Sequence, residues 1–127
     1  MLYGTNVVRS VEHSQVNELD EKNSLDRAAR AKVITFAKNR FSVDITATAS
    51  HDSALLKLTK AGILEAVVRH LEKGRPLFFE WLDNGEAAYV VKECVTEAGP
   101  IYIKLKFYLF RSAEKMLIVS AHPNRRW

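Results

Sequence analysis

The spacing of apolar residues is clearest in the last quarter of the chain. From Ile101 to Leu109, aliphatic and Phe residues fill the odd positions, and Tyr102, Lys104, Lys106 and Tyr108 fill the even ones. This period of two predicts a strand with one buried face and one available face. Arg111-Ser112-Ala113-Glu114 breaks the pattern, and Lys115 to His122 predicts a strand running back and ending before Pro123. A five-residue connection centred on Ala113 places Lys106 opposite Ser120 and Lys104 opposite His122, all on one face. A slip of one residue opposes Lys104 to Ala121 instead and scatters the set.

Further upstream, Asn84-Gly85 is a strong hairpin signal between the strand-like runs Leu77–Leu82 and Ala87–Val95. Ala98-Gly99-Pro100 supplies the next turn, giving an antiparallel meander of about four strands. Before it, Ser50-His51-Asp52-Ser53 offers N-cap residue types for a helical region that Gly62 divides into 54–61 and 64–73. Gly74 suits the position just past a helix end, and Pro76 prevents continuation. Ser24 is a cap for an earlier helix whose stripe is Leu25, Ala29, Val33 and Phe36, with Arg27, Arg30 and Lys38 on its far face. Phe41 to Thr46 alternates as a short strand. Residues 1–23, with Val7, Val8, Val11, Val16 and Leu19, read as an arm with one short helix.

The expected fold is therefore α+β, with N-terminal helices packed on a C-terminal antiparallel sheet of about four strands. Residues 1–127 form a single domain in this reading. Residues 1–49 are an N-terminal helical extension, and residues 50–127 are the helix–Gly–helix and the sheet.

Composition narrows the class. A chain of 127 residues with 47% hydrophobic and 27% charged residues has the makeup of a globular domain with a real core. No apolar run approaches the ~20 residues of a membrane-spanning helix, and no charged-then-apolar leader opens the chain. No membrane association and a cytoplasmic site of action are the expectations. The single cysteine, Cys94, lies in an apolar run and reads as a buried structural thiol.

The net charge of +4 is unevenly spread. Residues 101–127 hold six Lys/Arg against Glu114, and residues 22–40 hold six against Asp26. Two basic zones suit a polyanionic partner such as RNA or DNA, and they equally suit a solvated basic surface.

Phosphate-loop, dinucleotide-binding, His-Glu-x-x-His, zinc-cysteine and Gly-x-Ser-x-Gly motifs are all missing from the sequence. No metal and no cofactor are expected. The terminal hairpin is the one constellation with chemical content. Histidine is the side chain that exchanges protons near neutral pH, and His122 lies here beside lysines and phenols. RNA cleavage without a metal needs a base for the ribose 2′-OH, a cation for the phosphorane and an acid for the 5′-oxygen. His122, Lys104 and Tyr102 are the catalytic candidates. Lys106, Tyr108, Lys92, Arg125, Arg126 and Ser120 are candidates for holding RNA, and Trp127 is a candidate stacking or anchoring residue. The bland alternative is a strand's wet face capped by a loop histidine. Glu80 is either an acid/base or a solvent-facing strand residue. His13, His51 and His70 read as surface residues, and Phe78, Phe79 and Trp81 as core.

Two pieces of the chain resemble the RelE-type endoribonuclease superfamily (Barnase–EndoU–colicin–RelE), in its MqsR-like branch of toxins. Ser53 to Ile63 is similar to the helix and Gly-aliphatic turn before the MqsR sheet. Ile101-Tyr102-Ile103-Lys104-Leu105 and Leu117-Ile118-Val119-Ser120 are similar to its closing strands. The resemblance spans roughly residues 50–122. It implies that Tyr102 matches the strand tyrosine and that His122 stands where MqsR has a lysine. Basic and glutamine residues usual in the first sheet strands lack a clear counterpart, although Glu80 and Lys92 lie in that region. Activity as an RNA-cutting toxin, in a toxin–antitoxin pair or as part of a secreted toxin, and an acidic antitoxin or immunity protein as partner are what the resemblance implies. Two other functions stay open: a non-catalytic nucleic-acid-binding module, and a protein-interaction domain with an acidic partner.

Overall fold

The computed structural model describes residues 26–123. The arm over 1–23, the Ser24 cap, and Arg125, Arg126 and Trp127 lie outside the described residues. Contacts divide the chain into two compact units, Met1–Ala31 and Lys32–Trp127. Helix α1 covers residues 26–37. In the first unit, its Arg30 Nη2 donates to Asp26 Oδ2 at 3.2 Å, one turn back. From Lys32 onward the chain belongs to the second unit.

After α1, a short 3₁₀ turn (Arg40–Ser42) leads into β1 (Val43–Ile45), α2 (Ala47–Leu55), α3 (Lys60–Glu72), β2 (Phe78–Trp81), β3 (Ala87–Thr96), β4 (Gly99–Phe110) and β5 (Ala113–Pro123). The α+β class is as expected. The sheet, however, has five strands in the order β1-β5-β4-β3-β2, and it is mixed. The fifth strand is the short run after Phe41, and it pairs parallel with β5, Val43 facing Met116 and Ile45 facing Ile118. A parallel pair needs a long crossover rather than a tight turn. Everything from α2 to β4 forms that crossover, so no local signal announces the pairing.

The break between α2 and α3 is not at Gly62. Thr46 caps α2, its side chain accepting from the Ala49 amide, and the Ser50–Ser53 cluster lies inside the helix. Thr59 caps α3, its hydroxyl accepting from the Gly62 amide at 3.0 Å. Gly62 thus occupies the first turn, where that amide is one of the donors a helix start leaves open. The end of α3 follows the sequence. Gly74 sits at φ +78°, its amide bonds Leu71 O at 3.0 Å, and the Arg75 amide bonds His70 O at 3.1 Å. That double bond is a Schellman closure. His70 is buried rather than on the surface, because its Nε2 meets Pro76 O at 3.0 Å and ties the helix end to the approach to β2.

The helices cover one face of the sheet. Val33, Ala37, Ala49, Ile63, Val67 and Leu71 meet Val91, Cys94, Ile101, Ile103, Leu105, Met116, Ile118 and Ala121 in one buried cluster. A row of rings runs outward along this face, Phe36 to Phe107, Tyr89, Phe79 and Trp81, with centroid separations of 5.0, 6.0, 5.8 and 4.9 Å. The row outruns the helices. Phe79 and Trp81 are therefore exposed rather than core, and Phe78, also read as core, is exposed on the opposite face of the same edge strand, in register with Val90 and Lys104.

Cys94 has no exposed surface, and burial pushes its thiol up to about 11. The native protein is expected to resist Ellman's reagent at pH 8 and to release one thiol equivalent in guanidinium. Rapid labelling of the native chain would contradict this placement.

Candidate functional site

The open face of the sheet is built by two departures from regular pairing. The β4–β5 connection is a two-residue turn at Arg111-Ser112, both with positive φ (52° and 69°), so Phe110 faces Ala113. The five-residue connection expected from the sequence is not formed. This tight turn sets Lys106 opposite Leu117 and Leu105 opposite Ile118. Continued unbroken, that register would oppose Tyr102 to Ala121 and turn His122 toward the helices. A β-bulge intervenes at Val119, after which Lys104 faces Ser120 and Tyr102 faces His122. Lys104 therefore meets neither His122 nor Ala121, the two partners weighed from the sequence. The net displacement is two residues, and a slip of two keeps every side chain on its face.

Tyr102, Lys104, Ser120 and His122 consequently share one end of the open face. The His122 and Tyr102 rings stack with centroids 5.0 Å apart and planes 15° from parallel. His122 is 9% exposed. Its Nδ1 lies 2.7 Å from Pro123 O. A carbonyl oxygen only accepts, so Nδ1 carries the hydrogen, and in the neutral ring the lone pair is on Nε2. Lys104 Nζ pairs with Glu80 Oε2 at 2.9 Å, reaching across β3. That bond to Glu80, together with the Tyr102 side chain, holds the ammonium above its ordinary range. Lys92 and Glu93 form a second bulge, between Val91 facing Ile103 and Cys94 facing Ile101. Glu93 there has φ 52°, a backbone region that costs a non-glycine residue energy. Lys92 Nζ sits over the Phe78 ring, 4.7 Å from its centroid.

Lys106 and Tyr108 occupy the other end. Lys106 Nζ bonds Glu86 Oε1 at 2.7 Å. Tyr108 Oη donates to Asp44 Oδ2, and Lys115 Nζ bonds the same carboxylate at 2.9 Å. This clip joins β1 to β4 and β5. Lys104, Lys106 and Lys115 on the open face are thus each matched by a carboxylate. Asp44 and Glu86 are the partners that sequence reasoning missed. The alternation Val43-Asp44-Ile45 puts Asp44 on a polar face, but only the parallel pairing says which lysine it meets.

The Tyr108 hydrogen bond and, after it, Lys115 hold the Asp44 carboxyl below its usual range. The Tyr108 phenol is pushed up to about 12 by Asp44. Both shifts give stability a pH dependence. The Asp44 contribution is present above the ordinary carboxylate range and is lost as pH falls through its lower folded value. The Tyr108 contribution is present below the ordinary phenol range and is lost as pH rises toward 12. Asp44→Asn is expected to flatten the fall of melting temperature between roughly pH 5 and 2 relative to the parent. Parallel acid limbs for the two proteins would rule out this role for Asp44.

Among the described residues, no three His, Cys, Asp or Glu side chains gather as a metal-ligating group, and no helix is long and apolar enough to cross a membrane. No family model, curated protein or solved structure matches the chain.

Proposed function

We propose that the chain is an endoribonuclease that cuts RNA by attack of the ribose 2′-OH, with no metal taking part, and acts as a bacterial toxin in the cytoplasm. The observation that carries this reading is the His122 contact: Nδ1 lies 2.7 Å from Pro123 O and donates to it, which in the neutral ring leaves Nε2 as a base, with the imidazole stacked on Tyr102. In the proposed reaction, Nε2 takes the 2′-OH proton and O2′ attacks phosphorus. The Lys104 ammonium balances the charge of the phosphorane, and the Tyr102 phenol, beside Lys104, gives its proton to the leaving 5′-oxygen. The products are a 2′,3′-cyclic phosphate and a 5′-hydroxyl end. In this reading Lys92, Lys106, Tyr108 and Ser120 hold the RNA strand, with Glu80 and Glu86 giving up their lysines to phosphates. An acidic antitoxin or immunity protein is the proposed partner.

The test is incubation of the purified chain with end-labelled total RNA in EDTA, with the product ends mapped. Cyclic phosphate ends support the reading, and intact RNA at micromolar protein rejects it. A second reading, a protein-interaction domain, is favoured by one feature: Lys104, Lys106 and Lys115 already have carboxylate partners. Such compensation lowers the attraction for phosphate. Intact RNA in the EDTA assay would leave this reading standing.

A further inference from the structure

A second surface lies in the helical layer and takes no part in the chemistry above. A groove of about 550 Å³ opens between the end of α1, the 3₁₀ turn and α3. Its floor is aliphatic, formed by Ala37, Ala61, Leu64 and Val68. Its rim carries Lys38, Arg40 and Arg69 against the single acid Glu65. Phe41 stands at the mouth, 82% exposed, the most exposed large apolar side chain among those described.

The turn that presents these groups is braced from several sides. Asn39 Oδ1 accepts from the Phe41 amide at 3.2 Å, and Ser42 Oγ donates to Asn39 O at 2.7 Å. Lys60 Nζ donates to Arg40 O at 3.1 Å and Val43 O at 2.7 Å, fastening the turn to the start of α3. The exposed position of Phe41 is therefore a built feature of the fold, already ordered before any partner arrives.

Charge selects the occupant. Lys38 Nζ is taken by Glu72 at 3.2 Å. Arg40 stacks on Phe41, its guanidinium carbon 5.5 Å from the ring centroid. Among the described residues, neither Arg40 nor Arg69 makes an ion pair with a carboxylate. Guanidinium groups with open hydrogen-bonding edges fit carboxylates in two-pronged fashion. The aliphatic, concave floor suits a leucine or phenylalanine side chain, whereas a nucleobase stacks on aromatic platforms and the groove offers only the one ring of Phe41, at its mouth and already stacked by Arg40. Its volume lies within the ~300–1,000 Å³ of side-chain and small-ligand pockets. An exposed aromatic beside arginines is also the composition from which interface hot spots are drawn.

We infer that this groove docks an acidic peptide segment of a partner protein, with one bulky apolar side chain on the Leu64–Val68 floor and carboxylates on Arg40 and Arg69. The inference does not depend on the ribonuclease reading, because His122 faces the other side of the sheet.

The test is a selection of random peptides displayed on phage against the immobilised full chain. The strongest peptide is then synthesised and titrated by fluorescence anisotropy. The selected peptides are expected to carry Asp or Glu flanking Leu, Phe or Trp. Arg40→Glu and Arg69→Glu are each expected to weaken binding at least tenfold, while Arg111→Glu on the hairpin turn leaves it unchanged. Unaltered thermal melts of all three variants confirm that the fold is kept. No enrichment, an enriched set without excess acid, or affinity insensitive to both arginine changes overturns the inference. So does a twelve-nucleotide single-stranded RNA that displaces the peptide and loses affinity in the same variants. RNA cleavage in EDTA is read separately, so either idea can fail alone.

Discussion

In the proposed reaction, replacing His122 by alanine is expected to lower RNA cleavage by roughly 10²–10⁴-fold, the usual worth of a positioned general base. The structure also makes this side chain part of the packing. It is 9% exposed and stacked on Tyr102, so its removal is expected to cost stability on the order of 1 kcal/mol as well. His122→Asn separates the two effects. Its amide nitrogen can replace Nδ1 as donor to Pro123 O while offering no base at the Nε2 position. Both variants should therefore lose cleavage in EDTA, with the asparagine variant melting closer to the parent. A cleavage rate within threefold of the parent in His122→Asn would take the residue out of the mechanism.

The largest loss of stability is expected from Ile118→Ala. Ile118 has no exposed surface, and it sits on β5 between Ile45 of β1 and Leu105 of β4. Truncating such a side chain removes apolar burial and leaves a cavity that rigid strands on both sides cannot close, at about 2–5 kcal/mol. Against a total of roughly 5–15 kcal/mol, that is a large fraction. The guanidinium midpoint should fall by about 1 M with an unchanged slope. Lys106→Ala breaks an ion pair of the open face and should cost less than ~1 kcal/mol. Equal midpoint shifts for the two variants would contradict the assignment of Ile118 to the centre of the core.

Local signals in the sequence decide structure where they depend on nearest neighbours. The Asn84-Gly85 hairpin forms, with the Gly85 amide bonded to Leu82 O at 2.9 Å and Gly85 at φ +84°. Gly74 closes α3, and the alternation from Ile101 to Phe107 separates a covered face from an open one, while Leu109, next in the pattern, is exposed beyond the helices. Competing local signals are decided by which hydrogen bonds form. Thr59 and Gly62 both resemble helix boundaries, and the hydroxyl cap of Thr59 won because its bond uses the Gly62 amide directly. Phe78, Phe79 and Trp81 have the apolar character of core residues, yet Phe79 and Trp81 lie beyond the helical layer and Phe78 lies on the open face of an edge strand.

The candidate site divides in the same way. Period-two patterning alone determined that Tyr102, Lys104, Lys106 and Tyr108 share a face, since that is a consequence of the backbone pleat. Tertiary structure alone decided their neighbours. The two-residue turn at Arg111-Ser112 and the bulge at Val119 together brought His122 to Tyr102 and Ser120 to Lys104. The distant carboxylates Glu80, Glu86 and Asp44 were brought to the lysines by pairings across the sheet. A strand's sequence specifies which way each side chain points. The residue it meets depends on register, and register is chosen by the packing of the whole sheet against its helices.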